Sequence, residues 1–410
     1  MKVVFLNPSG QLGGAERSLL DILASLRAAE PAWTLHLVAT ADGPLLPLAR
    51  ALGVGTKVLP LPAALARLGD GGADAGRGGV RRRAALLGGV LRAAPAAFRY
   101  VRELRRAVAA LAPDVVHSNG FKMHVLGLAA LPAGVPLIWH VHDYVGRRPL
   151  MGRILRAGAG RCAAVVANSR SVAADVGEVC GGAVPVHPVY NAIDLSRFAP
   201  QGAALDLDGV AGLPPAPAGT VRVGLVATLG WWKGHETFLR AVSLLPPELT
   251  VRAYVVGGAL YETEGSQLTA EGLRRMAAEL GIADRVGFTG FVEEPAAAMR
   301  ALDVVVHAST EPEPFGLVIV EALACGRALV ASQAGGAAEL FVPGQTALGH
   351  PPGDAPRLAE AIAALAADPE LRARLGLAGR REMVRSFDRT RLAAELVPIY
   401  RGAVAAAGAR

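Results

Sequence analysis

Residues 309–326 read STEPEPFGLVIVEALACG. Just upstream, residues 301–308 (ALDVVVHA) are a short apolar run of the kind that makes a strand buried in a parallel sheet. An acidic, proline-studded loop follows (Glu311, Pro312, Glu313, Pro314), then Phe315-Gly316-Leu317 and an apolar segment. The predicted order is strand, acidic loop, helix. Pro314 suits the first turn of the helix, where its fixed φ and missing N–H cost nothing. The N–H groups of Phe315, Gly316 and Leu317 would then lie at the positive end of the helix dipole, a place for an anionic or hydroxyl-rich ligand. Glu321 interrupts the apolar face of Val318, Ile319, Val320, Ala322 and Leu323. A buried carboxylate needs a partner, and vicinal sugar hydroxyls are donors. The alternative is a helix-capping acid at Glu313 and a solvated glutamate at Glu321.

Strand–loop–helix units recur on both sides. Residues 2–6 form an apolar strand, 7–14 a loop with Gly10, Gly13 and Gly14, and 15–27 a helix with Leu19, Leu20, Ile22, Leu23 and Leu26 on one face. Strands are predicted at 35–39, 54–59, 114–117, 136–142, 163–167 and 184–189. The strands at 114–117, 136–142 and 163–167 end in polar residues, at the strand ends where open α/β sheets bind ligands. Residues 199–219, rich in Pro, Gly and Ala, read as a linker. A second series follows, with strands at 221–227, 250–256, 286–288 and 328–331 and helices at 237–243, 268–280, 355–366, 370–377 and 389–404. The fold class is α/β with two Rossmann-like halves.

The 410 residues suffice for two or three domains of ordinary size, and 52% are hydrophobic, so large cores can form. Net charge is +7. Residues 67–106 hold ten arginines against Asp70, Asp74 and Glu103, an excess equal to that of the whole chain. Leucines interleave with the arginines, which fits an amphipathic helix lying on an anionic membrane face. Arg81, Arg82, Arg83, Arg102, Arg105 and Arg106 are the candidate contacts. A solvated basic helix is the plain alternative. Aromatics are sparse and no nucleic-acid motif is present, so a nucleic-acid partner is not expected. Cys162, Cys180 and Cys325 are too few and scattered for a disulfide framework or metal cluster. No stretch reads as a signal peptide or bilayer span. A cytoplasmic protein, peripheral on the inner membrane face, is expected.

Lys233 follows strand 221–227 in the loop TLGWWKGHE, where a cation can stabilise a departing pyrophosphate. Trp231 and Trp232 beside it read as a lid or as packing. Gly13 and Gly14 can let backbone approach a phosphate. Their loop is not G-x-G-x-x-G, so a dinucleotide cofactor and oxidoreductase chemistry fit poorly. His140 and His142 share one face of their strand by alternation. With Asp143 they suggest a metal site without a third ligand, or a group that orients a substrate hydroxyl, or ordinary core histidines.

These pieces, in order, resemble the retaining nucleotide-sugar glycosyltransferases of family four, with the GT-B fold. The matching pieces are GGAE (13–16), His142-Asp143, Asn168-Ser169, NAID (191–194), Trp232-Lys233-Gly234, Gly290-Phe291, EPFGLVIVEALACG (313–326) and Gly335-Gly336 with Glu339-Leu340. The resemblance implies two Rossmann-like domains facing across a cleft: an acceptor-side domain at 1–198, a nucleotide-sugar domain at 220–386, and a C-terminal helix at 387–410 crossing back. It implies that Glu321 takes the ribose hydroxyls, that Glu313 with Phe315, Gly316 and Leu317 holds the donor sugar, and that Lys233 with Gly13 and Gly14 faces the pyrophosphate. His142 would sit near the reacting carbon. Thr228 and Phe291 join the donor list, and His140, Asp143, Asn119 and Lys122 are acceptor-side candidates. No metal and no cofactor are expected beyond the nucleotide sugar as substrate. The acceptor would be a glycan or lipid-linked sugar. One departure stands out: Ala227-Thr228 replaces the family's usual Gly-Arg, leaving Lys233 to meet the leaving group. A non-catalytic nucleotide-sugar binder is the competing reading.

Overall fold

The computed structural model describes residues 1–66, 80–132, 134–258 and 267–409, with residues 66 and 80–92 described in backbone alone. The chain divides into two units: Met1–Asn191 with Arg389–Arg410, and Ala192–Asp388.

The first unit is built on a seven-stranded sheet: β1 (Lys2–Asn7), β2 (Thr34–Ala39), β3 (Gly55–Val58), β4 (Val115–Asn119), β5 (Leu137–Val141), β6 (Ala164–Ala167) and β7 (Val186–Pro188). Its order is β3-β2-β1-β4-β5-β6-β7, parallel throughout. The second holds β8 (Val221–Val226), β9 (Val251–Val256), β10 (Val286–Gly290), β11 (Val304–His307), β12 (Ala328–Ser332) and β13 (Leu348–His350), in the order β10-β9-β8-β11-β12-β13 and again parallel. Helices cover both faces of such sheets, so central strands bury every side chain and read as unbroken apolar runs. β4, β5, β11 and β12 are buried at every residue.

Strand order reverses between β1 and β4 in the first unit and between β8 and β11 in the second. The crevice at the carboxyl ends of such a pair is where open α/β sheets take ligands. Lys233 follows β8 and Glu313 follows β11, so both lie at the second unit's switch point.

Three expectations are corrected. Residues 199–219 are not a linker: they belong to the second unit, whose contacts begin at Ala192. Within them the short helix Leu207–Val210 carries buried Asp208, which accepts from Tyr254 Oη (2.6 Å), Arg252 (2.7 Å) and Arg222 (3.1 Å). The helix after β11 runs Leu317–Ala324, so Pro314 precedes it rather than occupying its first turn. Gly316 is the turning residue, at φ +97°, a conformation that favours glycine. Finally, the helices Gly120–Ala130, Pro149–Gly158 and Arg170–Cys180 were not expected.

The basic block forms the helix Val80–Leu111, which buries Tyr100, Leu104, Ala107 and Val108 and exposes Arg99, Arg102, Arg105 and Arg106. Arg67 and Arg77, and the side chains of Arg81, Arg82 and Arg83, lie outside the described residues. The last helix, Arg391–Gly408, packs against Gly14–Ala29 and buries Leu392, Leu396 and Tyr400. Ser25 fastens the two: its hydroxyl donates to the Thr390 carbonyl and accepts from the Ala393 N–H. Among the described residues no helix is long and apolar enough to cross a membrane.

Candidate active site

In the second unit, the loops after β8 and β11 are stitched together. The Thr310 N–H donates to the Trp232 carbonyl at 2.8 Å. Gly234 has φ +76°, and a Cβ there would stand 1.9 Å from the Ala308 carbonyl oxygen, so only glycine admits this approach. The approach brings Lys233 Nζ to 3.0 and 2.7 Å from the two carboxylate oxygens of Glu313. Ser309 Oγ donates to the same carboxylate at 2.8 Å. That leaves the Ser309 oxygen to accept from His307 Nε2, 3.1 Å away, so the order is His307 to Ser309 to Glu313. Burial pushes the Glu313 carboxyl up. The Lys233 ammonium and His307 outweigh burial and hold it well below the usual carboxylate range.

Glu321 lies on the helix Leu317–Ala324 and is 9% exposed, and Phe315 is buried. The helix presents its positive end at Leu317, next to the Lys233–Glu313 pair in sequence and fold. Thr228 is half-buried, and its carbonyl accepts from the Gly230 N–H at 2.8 Å. Phe291 follows edge strand β10 and is 61% exposed, against the loop after β9. Trp231 is exposed and stands perpendicular to Trp232.

In the first unit, Gly13 and Gly14 stand at the start of the helix Gly14–Ala29. Gly14 is exposed, while Gly13 is buried and its N–H donates to Glu16 Oε2 at 3.1 Å. The Gly13 N–H is therefore already engaged by its own helix. Glu16 also accepts from Asn7 at 3.2 Å, and burial raises its carboxyl despite these bonds. His142 is half-buried just beyond β5, with Nε2 3.2 Å from Asn119 Oδ1. Its ring centroid is 3.9 Å from that of His140. Burial lowers His142 to about 4, so it is neutral near pH 7. Asp143 accepts from Arg148 at 2.9 Å. Lys122 lies half-buried on the helix Gly120–Ala130. Among the described residues no group of three or more His, Cys, Asp or Glu is arranged to hold a metal ion.

The structure thus joins Lys233 to Glu313 and His140 and Asn119 to His142. It adds Ser309, His307, Asn7, Glu16 and Asn168, whose Nδ2 donates to the His142 carbonyl at 3.4 Å. The available signal was position: Asn7 ends β1, His307 ends β11, and polar residues at the ends of otherwise apolar strands have a reason to be there.

The family model for Glycosyltransferase Family 4 matches residues 12–197, and that for Glycosyl transferases group 1 matches residues 215–382. A lipopolysaccharide core biosynthesis mannosyltransferase of Rhizobium leguminosarum bv. viciae is 34% identical over 217 residues, 53% of this chain and 60% of that protein. The match thus spans less than two thirds of that relative's length. A D-inositol 3-phosphate glycosyltransferase of Catenulispora acidiphila is 33% identical over 312 residues, 71% of this chain and 72% of that protein. The crystal structure of Anabaena HepE in complex with UDP-glucose matches with a TM-score of 0.74 at 27% identity, covering 100% of each chain. Paired parallel sheets with reversed strand order, the Lys233–Glu313 contact and these matches converge: the chain belongs to glycosyltransferase family four and has the GT-B fold.

Proposed function

We propose that this protein is a retaining glycosyltransferase that moves a sugar from a nucleoside-diphosphate sugar to a glycan or lipid-linked acceptor in cell-envelope glycoconjugate synthesis. The observation that carries the reading is the Lys233–Glu313 pair at the switch point of the second sheet. Lys233 meets the diphosphate, Glu313 and the Phe315–Leu317 backbone hold the donor sugar, and Glu321 takes the ribose hydroxyls. Thr228 and Phe291 line the donor, and Gly14 is the exposed backbone of the glycine pair. His142 steadies the donor sugar; Lys122 and Asp143 serve the acceptor side, while Asn119 and His140, expected there too, are buried and touch His142 instead.

In the proposed reaction the bond from the anomeric carbon to the β-phosphate oxygen breaks, and the acceptor oxygen bonds to the same face of that carbon. The acceptor's proton passes to the departing diphosphate. Lys233 stabilises the charge that develops there. Neither metal nor side-chain nucleophile takes part.

The test is transfer and hydrolysis of UDP- and GDP-sugars, after a thermal-shift screen, since a ligand of the native state raises its stability. Unchanged turnover in both Lys233→Ala and Glu313→Ala overturns the reading of these residues. NMR of the product's anomeric centre reads retention, and persistence of activity in EDTA reads metal independence. Donor binding without turnover would favour the non-catalytic reading, which Thr228 motivates.

We also propose a cytoplasmic location with the helix Val80–Leu111 against an anionic membrane. Its exposed Arg99, Arg102, Arg105 and Arg106 and the 67%-exposed Phe98 support this. Each arginine near such a surface is worth about 1 kcal/mol. Co-sedimentation with phosphatidylglycerol vesicles that is equal for the parent and an Arg102/Arg105/Arg106→Gln variant would sink the idea.

A further inference from the structure

His140 is 2% exposed, and neither ring nitrogen has a hydrogen-bond partner. A buried imidazole in that state is less favourable than an apolar ring, so folding gives no reason for histidine here. Its surroundings give one. The His140 ring stands edge-on to His117, with centroids 5.1 Å apart, and 3.9 Å from His142. His117 is anchored in turn by Tyr400, whose hydroxyl lies 2.8 Å from its Nδ1. A column of rings therefore runs from buried Tyr400 on the last helix through buried His117 and His140 to half-buried His142.

On its other side His142 meets Asn119, with Oδ1 3.2 Å from Nε2. An amide oxygen only accepts, so His142 Nε2 carries the proton and Nδ1 keeps its lone pair. The Asn168 amide donates to the His142 carbonyl and fixes the backbone.

We infer that His140 and Asn119 are positioning residues for His142: the His140 ring sets the plane of the imidazole, and Asn119 sets its tautomer, leaving Nδ1 to accept from a sugar hydroxyl. The inference rests on the proposed place of His142 beside the donor sugar. It accounts for a buried, unpaired histidine by the precision it gives a neighbouring ring, since small displacements of groups that orient a substrate lower turnover steeply.

The test has two arms. Imidazole 15N NMR of the intact protein without donor reads the tautomer directly. The parent should show His142 protonated on Nε2, and Asn119→Ala should lose that preference. A parent His142 protonated on Nδ1 overturns the inference. In kinetics, His140→Phe and Asn119→Ala should each lower kcat by about tenfold or more. KM should stay within about threefold, and Tm should fall by no more than about 2 °C, rising in His140→Phe. Retention of kcat within about twofold in both variants also overturns it. If the parent transfers no sugar, the proposed function fails, and the tautomer arm alone decides the positioning.

Discussion

Lys233 Nζ lies 2.7 Å from Glu313 Oε2, joining two residues 80 positions apart that are proposed to grip different parts of one donor. Both side chains are largely buried, 23% and 13% exposed, so solvent screens the pair only partly. An arriving diphosphate therefore meets a lysine already matched by a carboxylate. Glu313→Gln removes that competitor: UDP affinity should hold or rise, while turnover falls about 100-fold through loss of the sugar contact. Lys233→Ala should lower both and destabilise the second unit by about 1–3 kcal/mol, because it takes the ammonium from a buried carboxylate that keeps Ser309 and His307 beside it. The double variant should lose less than the sum of the two. Calorimetric titration of UDP and transfer rates check this. Equal weakening of UDP binding in both single variants would refute the competition.

Restoring the family's usual arginine tests the departure at position 228. Thr228 is half-buried in the turn that holds the Lys233 loop. Thr228→Arg should tighten UDP by about 1–2 kcal/mol at low salt, the scale of a charge-assisted hydrogen bond. The gain should shrink as ionic strength rises. UDP titrations at two salt concentrations decide; no gain at low salt would mean that no second cation is needed there.

Much of this was legible because its chemistry is local. Buried parallel strands declare themselves as apolar runs, Glu321 stands out by interrupting an apolar helix, and Glu313 stands out in the acidic, proline-studded loop at its mouth. Contacts assembled from distant strands were not legible. Asp208 sits in a proline-rich stretch that reads as linker, and its partners Arg222, Arg252 and Tyr254 lie 14, 44 and 46 positions away. Only sheet pairing of β8 with β9 makes them neighbours. The helix Gly120–Ala130 (GFKMHVLGLAA) is apolar nearly all round, so no polar face announces its period. His307 and Ser309 precede the motif at 313–326, and their order to Glu313 is set by how their own loop turns, which no spacing announces.

Asp208 should behave as a fastener of the second unit alone. Asp208→Ala leaves the 12%-exposed Arg252 without its carboxylate, still holding the Pro214 carbonyl, and takes the acceptor from the buried Tyr254 hydroxyl, at about 3 kcal/mol, or roughly 6–12 °C in Tm for a unit of this size. Arg222, 37% exposed, contributes little. Burial pushes the Asp208 carboxyl up, but the Tyr254 and Arg252 bonds win and hold it below its ordinary 3.8. A depressed carboxyl stabilises above that value and loses its contribution as pH falls below it. Differential scanning calorimetry of the variant should show one lowered transition. An unchanged profile, or both transitions lowered together, would contradict this role.

Acid should unfold the first unit before the second. Burial lowers His117 to about 3 and His142 to about 4, and takes His124 and His140 well below the ordinary 6.5; with His36, lowered by burial and by Lys2, five such histidines are in the first unit. The second holds two, His235 at about 4 and His350, also lowered by burial. A histidine whose folded value is depressed keeps the native state from binding a proton that the unfolded chain takes up. Its contribution is intact above pH 6.5 and is lost as pH falls from 6.5 toward the folded value, at about 1.4 kcal/mol per pH unit for each histidine. Glu16, raised by burial, acts in the opposite sense as a single group in the first unit. Asp208 still holds its charge throughout this window, since its carboxyl titrates below 3.8. With five histidines against two, the first unit's unfolding free energy should fall more than twice as steeply between pH 6.5 and 5. Calorimetric scans at several pH values, following the two transitions separately, measure both slopes. Parallel slopes would mean that the His117–His140–His142 column accepts protons in the native state.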